Sequence, residues 1–161
     1  MKKTTTLPIV LVSALCAAPL GADPRPDAAS EIVALERQAM DGWLAGNPEP
    51  FLAMCDPDIT YFHVMTERRA DGLAAVQAIV EPFRGRSLFD GYEMLAPKVL
   101  VGGETAVLSY VLVQRIGSVT SRWNATEVFQ RKAQGWRLVH SHWSQTAPRG
   151  PGSQDSARRA R

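Results

Sequence analysis

The sequence predicts an α+β fold in which N-terminal helices pack in a strongly curved antiparallel sheet. Apolar residues recur every three or four positions in the first half of the chain, which indicates amphipathic helices. From Phe89 onward this pattern gives way to long runs that are typical of strands. Short loops join the last three of these runs, which favours antiparallel hairpins. Helices followed by strands are the usual order of an α+β fold.

Three helices and one short strand are expected before Phe89. Each boundary is predicted from a residue type that begins or ends such elements: a polar cap, a glycine or a proline. The expected segments are a helix from Ser30 to Gly46, a short helix after Asn47-Pro48, a strand over residues 59–63, and a helix from Asp71-Gly72 to Pro82.

Four longer strands are expected after Phe89. They are residues 92–101, 105–116, 119–131 and 136–146. The second of these runs is apolar at nearly every position from Val107 to Val113, so both of its faces should be covered. The helices can cover one face. The other face needs a partner or a second layer, and a homodimer or larger homo-oligomer through the outer face of the sheet is expected.

The N-terminus is interpreted as a signal peptide. Lys2 and Lys3 precede an apolar run, and small residues follow up to a plausible cleavage point after Ala22. The apolar run is too short to span a bilayer comfortably, so no stable membrane insertion is expected. Residues 1–22 therefore predict export, to a periplasmic or secreted location.

The remaining chain divides into a linker (23–29), one domain (30–146) and a disordered basic tail (147–161). A chain of 161 residues is long enough for one domain of this kind. Without residues 1–22 the acidic and basic side chains are equal in number, and the tail holds an excess of the basic ones. The domain itself is therefore slightly acidic, which argues against a nucleic-acid partner.

Residues 123–144 resemble the closing hairpin of the nuclear transport factor 2-like superfamily. The similarity is greatest to SnoaL-like proteins and to the association (hub) domain of calcium/calmodulin-dependent protein kinase II. The matching features are Thr126-Glu127-Val128 before an aromatic residue, the Gly135-Trp136 turn, and the ending His140-Ser141-His142-x-Ser144. The resemblance covers about residues 30–146. It implies a cone-shaped fold with an apolar cavity at its open end, and such cavities commonly bind ligands.

Glu127 is the first catalytic candidate. It alternates with Trp123 and Phe129, so the three side chains share one face of a strand. On the concave face, burial would raise the carboxyl pKa and suit the group to proton transfer. On the convex face, Glu127 would form an ion pair at an interface. The resemblance implies the concave placement, since pocket arginines of the kinase association domain fall at Glu127 and Leu112.

His140 and His142 are the other catalytic candidates. They are two residues apart on the last strand, so they are expected on one face, together with Trp136, Leu138 and Ser144. They could act as acids or bases, or they could be structural or interface residues. A less favoured alternative adds His63 to make a metal site of three histidines. No cofactor is expected.

Further ligand-pocket candidates are Tyr61, His63, Tyr110, Leu112 and Trp123. Tyr61 and His63 alternate on the first short strand, which borders the cavity mouth in the similar family. The expected function is binding of a small, largely apolar molecule, with acid/base chemistry of the dehydratase, isomerase or hydrolase type. The alternative is a non-catalytic module for oligomerisation or ligand binding, as in the kinase association domain.

Overall fold

A computed structural model describes residues 27–64 and 66–146. The predicted signal peptide, most of the linker and the C-terminal tail lie outside these residues. The described elements are α1 (Ala28–Leu44), α2 (Glu49–Met54), β1 (Cys55–Phe62), β2 (Ala70–Asp71), α3 (Leu73–Val80), β3 (Gly91–Gly102), β4 (Thr105–Ile116), β5 (Val119–Lys132) and β6 (Gly135–Gln145). No helix within this part of the chain is long and apolar enough to cross a membrane.

The six strands form one curved sheet in the order β2-β1-β6-β5-β4-β3. Strands β3 to β6 pair with their neighbours in the antiparallel sense, as the short loops predict. Strand β1 adds to the free edge of β6 in the parallel sense, and β2 pairs with β1. The α+β class with a curved antiparallel sheet is thus confirmed. The parallel pairing of β1 with β6 was not predicted.

Most predicted boundaries agree with the observed ones within one or two residues, and two differ for a clear reason. Helix α1 begins before Ser30 because Asp27 is the cap: its Oδ1 accepts a hydrogen bond from the Ser30 amide at 2.9 Å. Strand β1 begins at Cys55, earlier than predicted, because Arg137 of β6 holds that end. The Arg137 guanidinium donates to the backbone oxygens of Ala53 and Cys55 at 2.6 and 2.9 Å.

The hydrophobic core lies between the helices and the concave face of the sheet. Helix α1 packs against α2 and β3 and buries Ile32, Met40 and Trp43. The sheet contributes the fully buried Leu108 and Phe129 among others. Burial of each such large apolar side chain contributes about 1.5–3 kcal/mol, so this interface is what holds the sheet in its curved form.

A bulge in β6 decides which way its side chains point. Val128 of β5 lies opposite His140, but the next residue, Phe129, lies opposite Leu138. Val139 is therefore an extra residue in β6. An extra residue reverses the alternation of inward and outward side chains along the rest of the strand.

The bulge corrects the predicted face of the last strand. Trp136 and Leu138, before the bulge, are buried on the concave side. After the bulge, Ser141 is buried opposite Glu127, so Ser141 and its alternating neighbour Trp143 point inward. His140 and His142 consequently point outward. They share a face with each other and with Ser144, as predicted, but not with Trp136 and Leu138.

Candidate functional site

A cavity of about 250 Å³ opens between the helices and the concave face of the sheet. Its wall is mostly aromatic and aliphatic. The lining residues are Glu36, Met40, Trp43, Phe51, Tyr61, His63, Val64, Val80, Phe83, Leu88, Phe89, Leu112, Gln114, Trp123, Glu127 and Trp143. Among these described residues none is lysine or arginine. The cavity therefore contains acidic groups without a basic residue in its wall.

Helix α1 places Glu36 in this wall. Glu36 is one helical turn from both Ile32 and Met40, so it belongs to the face that the helix buries. Its side chain is completely inaccessible to solvent. Glu127, in the middle of β5, is equally buried and points inward from the sheet. The cavity thus brings together two carboxyl groups from distant parts of the chain.

Glu36 and Glu127, here called the carboxyl pair, lie close enough to form a hydrogen bond, and each shifts the pKa of the other. Two carboxyl groups can form such a bond only if one of them carries a proton. The Tyr110 hydroxyl donates to Glu36 Oε1, and the Ser141 hydroxyl donates to Glu127 Oε1 at 3.2 Å. No described group donates a hydrogen bond to the Oε2 atom of either residue.

The surroundings determine which member of the carboxyl pair holds the proton. Burial raises the pKa of Glu127 well above its ordinary range, and the negative charge of Glu36 raises it further. Burial also raises the pKa of Glu36, but hydrogen bonds from Glu127 and Tyr110 counteract this effect. The pKa of both groups is raised overall, and Glu127 is the better candidate to hold a proton while Glu36 is the better candidate to carry a charge. The pair has one acid and one base in contact with the same cavity.

Hydroxyl groups hold both carboxyls in place. Tyr110 packs edge to face against Trp143, with ring centroids 5.8 Å apart, while its hydroxyl reaches Glu36. The Trp143 indole donates to the Ser141 hydroxyl at 3.0 Å, which orients that hydroxyl toward Glu127. Burial raises the pKa of Tyr110 well above its ordinary value, so this residue stays a hydrogen-bond donor.

Tyr61 and His63 lie together at the wall, with ring centroids 5.4 Å apart. Burial raises the pKa of Tyr61 and lowers the pKa of His63, so both side chains are neutral near pH 7. Leu112 and Trp123 also line the cavity. Tyr110, also predicted in the pocket, does not line the cavity itself. Its hydroxyl donates a hydrogen bond to Glu36, which does.

The structure separates His140 and His142 from the cavity. Both pack around Phe62 on the outer face, with centroid distances of 5.9 and 5.5 Å. The Thr60 hydroxyl lies 2.8 Å from His140 Nδ1. These histidines are therefore not part of the cavity wall, because the bulge turns them outward.

The alternative metal site of three histidines is also corrected. His63 faces the cavity, whereas His140 and His142 face away from it on the other side of the sheet. Across residues 27–64 and 66–146, no three side chains of His, Cys, Asp or Glu are grouped so as to hold a metal ion.

Glu36 is the functional candidate that sequence reasoning missed. The apolar pattern of α1 indicates which face is buried, and a carboxylate on that face was a detectable signal. Glu36 can take part in a site only together with a second group. That group is Glu127, which approaches Glu36 only when β5 folds over helix α1.

Helices packed in a curved sheet around an acidic cavity define this chain as a nuclear transport factor 2-like domain. The profile of the calcium/calmodulin dependent protein kinase II association domain matches residues 28–147, and the chain belongs to that family. Among curated protein sequences, none matches the chain significantly.

Solved structures with the same fold include enzyme-like and hub-like proteins. A putative ketosteroid isomerase from Parabacteroides distasonis is 28% identical, with a TM-score of 0.66; the match covers 73% of this chain and 86% of that one. The CaMKII hub of S. rosetta is 25% identical, with a TM-score of 0.62, and the match covers 79% of this chain and 100% of the hub. An NTF2-like protein of Pseudomonas putida is 24% identical, with a TM-score of 0.67. The match covers 79% of this chain and 91% of that protein, and at this identity it supports the fold alone.

Proposed function

We propose that the domain binds a small, largely apolar molecule in its cavity and exchanges a proton with it through the carboxyl pair. The observation that carries this proposal is the pair of buried carboxyl groups, Glu36 and Glu127, in an otherwise largely apolar wall. A pair that holds one proton can accept a proton at one oxygen and donate one at another. Such a pair can transfer protons on a bound molecule without help from solvent.

Each residue of the site has a role in this proposal. Glu36 is the base, because hydrogen bonds stabilise its charged form. Glu127 is the acid, since burial and the neighbouring charge keep it protonated. Tyr110 positions Glu36. The similarity to a putative ketosteroid isomerase supports chemistry of this type, an isomerisation by proton transfer.

Binding can be tested with N-phenyl-1-naphthylamine, an uncharged dye whose fluorescence rises in apolar surroundings. We expect saturable binding by the wild-type domain. Val80→Phe places a larger side chain in the cavity wall and should weaken binding about tenfold or more. Val107→Phe makes the same change outside the cavity lining and should bind the dye normally. Absence of saturable dye binding would overturn the proposal.

Proton transfer can be tested with 3-cyclohexen-1-one as a small reporter. The carboxylate removes a proton from the carbon between the carbonyl and the alkene, and the acid stabilises the resulting dienol. Return of a proton to the far alkene carbon then gives the conjugated ketone, which absorbs in the ultraviolet. We expect Glu36→Gln and Glu127→Gln to lower the rate about 100-fold each. Glu93→Gln, on the exposed side of β3, should not change it. No acceleration over buffer would refute the catalytic part and leave binding as a separate result.

A second proposal, self-association, rests on the outer face of the sheet. Phe62 is 44% exposed there and packs against His140 and His142; these three residues are here called the outer-face cluster. A large aromatic side chain exposed beside two imidazoles is typical of an interface. The similarity to hub domains supports this proposal. Sedimentation velocity on the mature protein tests it, and a monomer at micromolar concentration would contradict it.

Export is also a proposal, and it rests on residues 1–22, which lie outside the described part of the chain. Lys2 and Lys3 followed by an apolar run support it. Expression of the full chain in a bacterium should give a mature N-terminus at Asp23. An intact mass that retains residues 1–22 would contradict export.

A further inference from the structure

We propose that the ligand of this cavity is a small organic cation, an aromatic or alicyclic amine in its protonated form. This inference rests on the proposed function, since it names the class of molecule that the cavity accepts. It is carried by the charge of the wall, by the unsatisfied carboxyl oxygens and by the aromatic side chains around them.

The charge of the wall comes first. The described lining contains two carboxyl groups and no lysine or arginine, and His63 is neutral. With one proton shared, the carboxyl pair keeps one negative charge. A buried charge without a counter-ion is costly in a protein interior. A bound monocation would neutralise that charge, whereas a neutral ligand would leave it and an anion would be repelled.

The oxygen atoms come next. Glu36 Oε2 and Glu127 Oε2 are fully buried, and no described group donates a hydrogen bond to either of them. A carboxyl oxygen can accept more than one hydrogen bond, so both retain capacity for a ligand. An ammonium group has several N–H donors close together. Bonds from such a group to carboxylates are charge-assisted and stronger than bonds between neutral groups.

The aromatic lining supports the same class of ligand. Trp43, Trp123 and Trp143 line the cavity together with Phe51 and Tyr61. Aromatic faces attract organic cations, most strongly when water is excluded. The same rings bury an apolar ligand body. A cavity of about 250 Å³ limits the ligand to a small amine built on a compact ring system.

Calorimetric titration with three matched probes tests the inference. Benzylamine is protonated at pH 7, benzyl alcohol is its neutral analogue, and benzoate is an anion of similar size. We expect benzylamine to bind about 30-fold more tightly than benzyl alcohol, a ratio that corresponds to about 2 kcal/mol. Benzoate should not bind measurably. Equal affinities for the amine and the alcohol, or a preference for the alcohol, would overturn the inference.

Two variants connect this preference to the carboxyl pair. In Glu36→Gln/Glu127→Gln the cavity keeps its shape and loses its charge, so the amine-to-alcohol ratio should fall to between about one and three. Glu93→Gln removes one acidic charge from an exposed position and should keep the wild-type ratio. If the double variant does not fold, the wild-type comparison still decides the ligand class.

The dye titration separates failure of this inference from failure of the proposed function. If the neutral dye binds and benzylamine does not, the cavity accepts apolar molecules but not cations, and only this inference is refuted. If neither the dye nor any benzyl compound binds, the proposed function is refuted as well.

Discussion

Glu36 of α1 and Glu127 of β5 lie close enough to form a hydrogen bond inside the curved sheet, and neither side chain is accessible to solvent. Two acidic groups in an apolar interior lower the stability of the folded state unless they hold a proton or bind a cation. Tyr110 and Ser141 each add one hydrogen bond to the pair. Buried carboxyl groups that destabilise the fold, yet are held in place by hydrogen bonds from neighbouring side chains, are commonly functional.

The carboxyl pair should make stability depend on pH. Burial, together with the charge of Glu36, raises the pKa of Glu127 in the folded state, so the folded protein binds its proton more tightly than the unfolded chain does. The stabilisation that this proton contributes is fully present below the pKa of Glu127 in the unfolded chain. It is lost as pH rises through the interval up to the folded pKa. Urea unfolding of the wild type and Glu127→Gln, at about pH 5 and about pH 8, measures the effect.

We expect the Gln variant to be more stable than the wild type at the higher pH by about 1–2 kcal/mol. The difference should shrink at the lower pH, because the unfolded wild-type chain then binds the Glu127 proton to a greater extent. A difference between the two proteins that does not vary with pH would refute the raised pKa of Glu127.

Tyr110→Phe should destabilise the domain by about 1.5–3 kcal/mol, because it removes a buried hydrogen bond to a charged group. Tyr92→Phe is the matched control. The Tyr92 hydroxyl donates to Asp41 Oδ1 of the same helix at 2.6 Å, but this pair is exposed to solvent. The control should therefore cost less than about 1 kcal/mol. If urea unfolding gave the same loss of unfolding free energy for both variants, the buried hydrogen bond to Glu36 would be no stronger than the exposed bond to Asp41.

Ser141→Ala should cost about 1–3 kcal/mol, since it removes a donor to Glu127 and an acceptor for the Trp143 indole at one time. Ser121→Ala provides the comparison. The Ser121 hydroxyl accepts only the Trp123 indole, at 3.1 Å, in a less buried position. Its loss should cost about half as much or less. Thermal unfolding of both variants gives the comparison, and a larger loss for Ser121→Ala would contradict it.

Phe62→Asp should weaken self-association without affecting the cavity. The change places a charge in the centre of the outer-face cluster, where an interface would bury it. We expect about a tenfold or greater rise in the dissociation constant by sedimentation, with dye binding unchanged. His142→Gln keeps a polar side chain at the edge of the same cluster and should have a smaller effect. Unchanged association of Phe62→Asp would place the interface elsewhere.

Local sequence patterns determined most of the secondary structure. The run from Thr105 to Ile116 was predicted at both ends, because glycine-containing turns bound it and its apolar residues favour a strand. Alternation put Glu127 on one face with Trp123 and Phe129, and the resemblance to the kinase association domain implied that this face is the concave one. These features depend on neighbours in the chain, which the sequence shows directly.

The tertiary structure alone decided the site. Alternation gave the wrong relation of His140 to Leu138, because the extra residue Val139 becomes a bulge only when β6 is paired with β5. Glu36 gained its partner only when α1 packed into the sheet. The sequence by itself therefore determined helices followed by a curved antiparallel sheet, and a strand face that Glu127 shares with Trp123 and Phe129. The second carboxylate and the outward histidines depend on contacts between distant segments, which local periodicity does not encode.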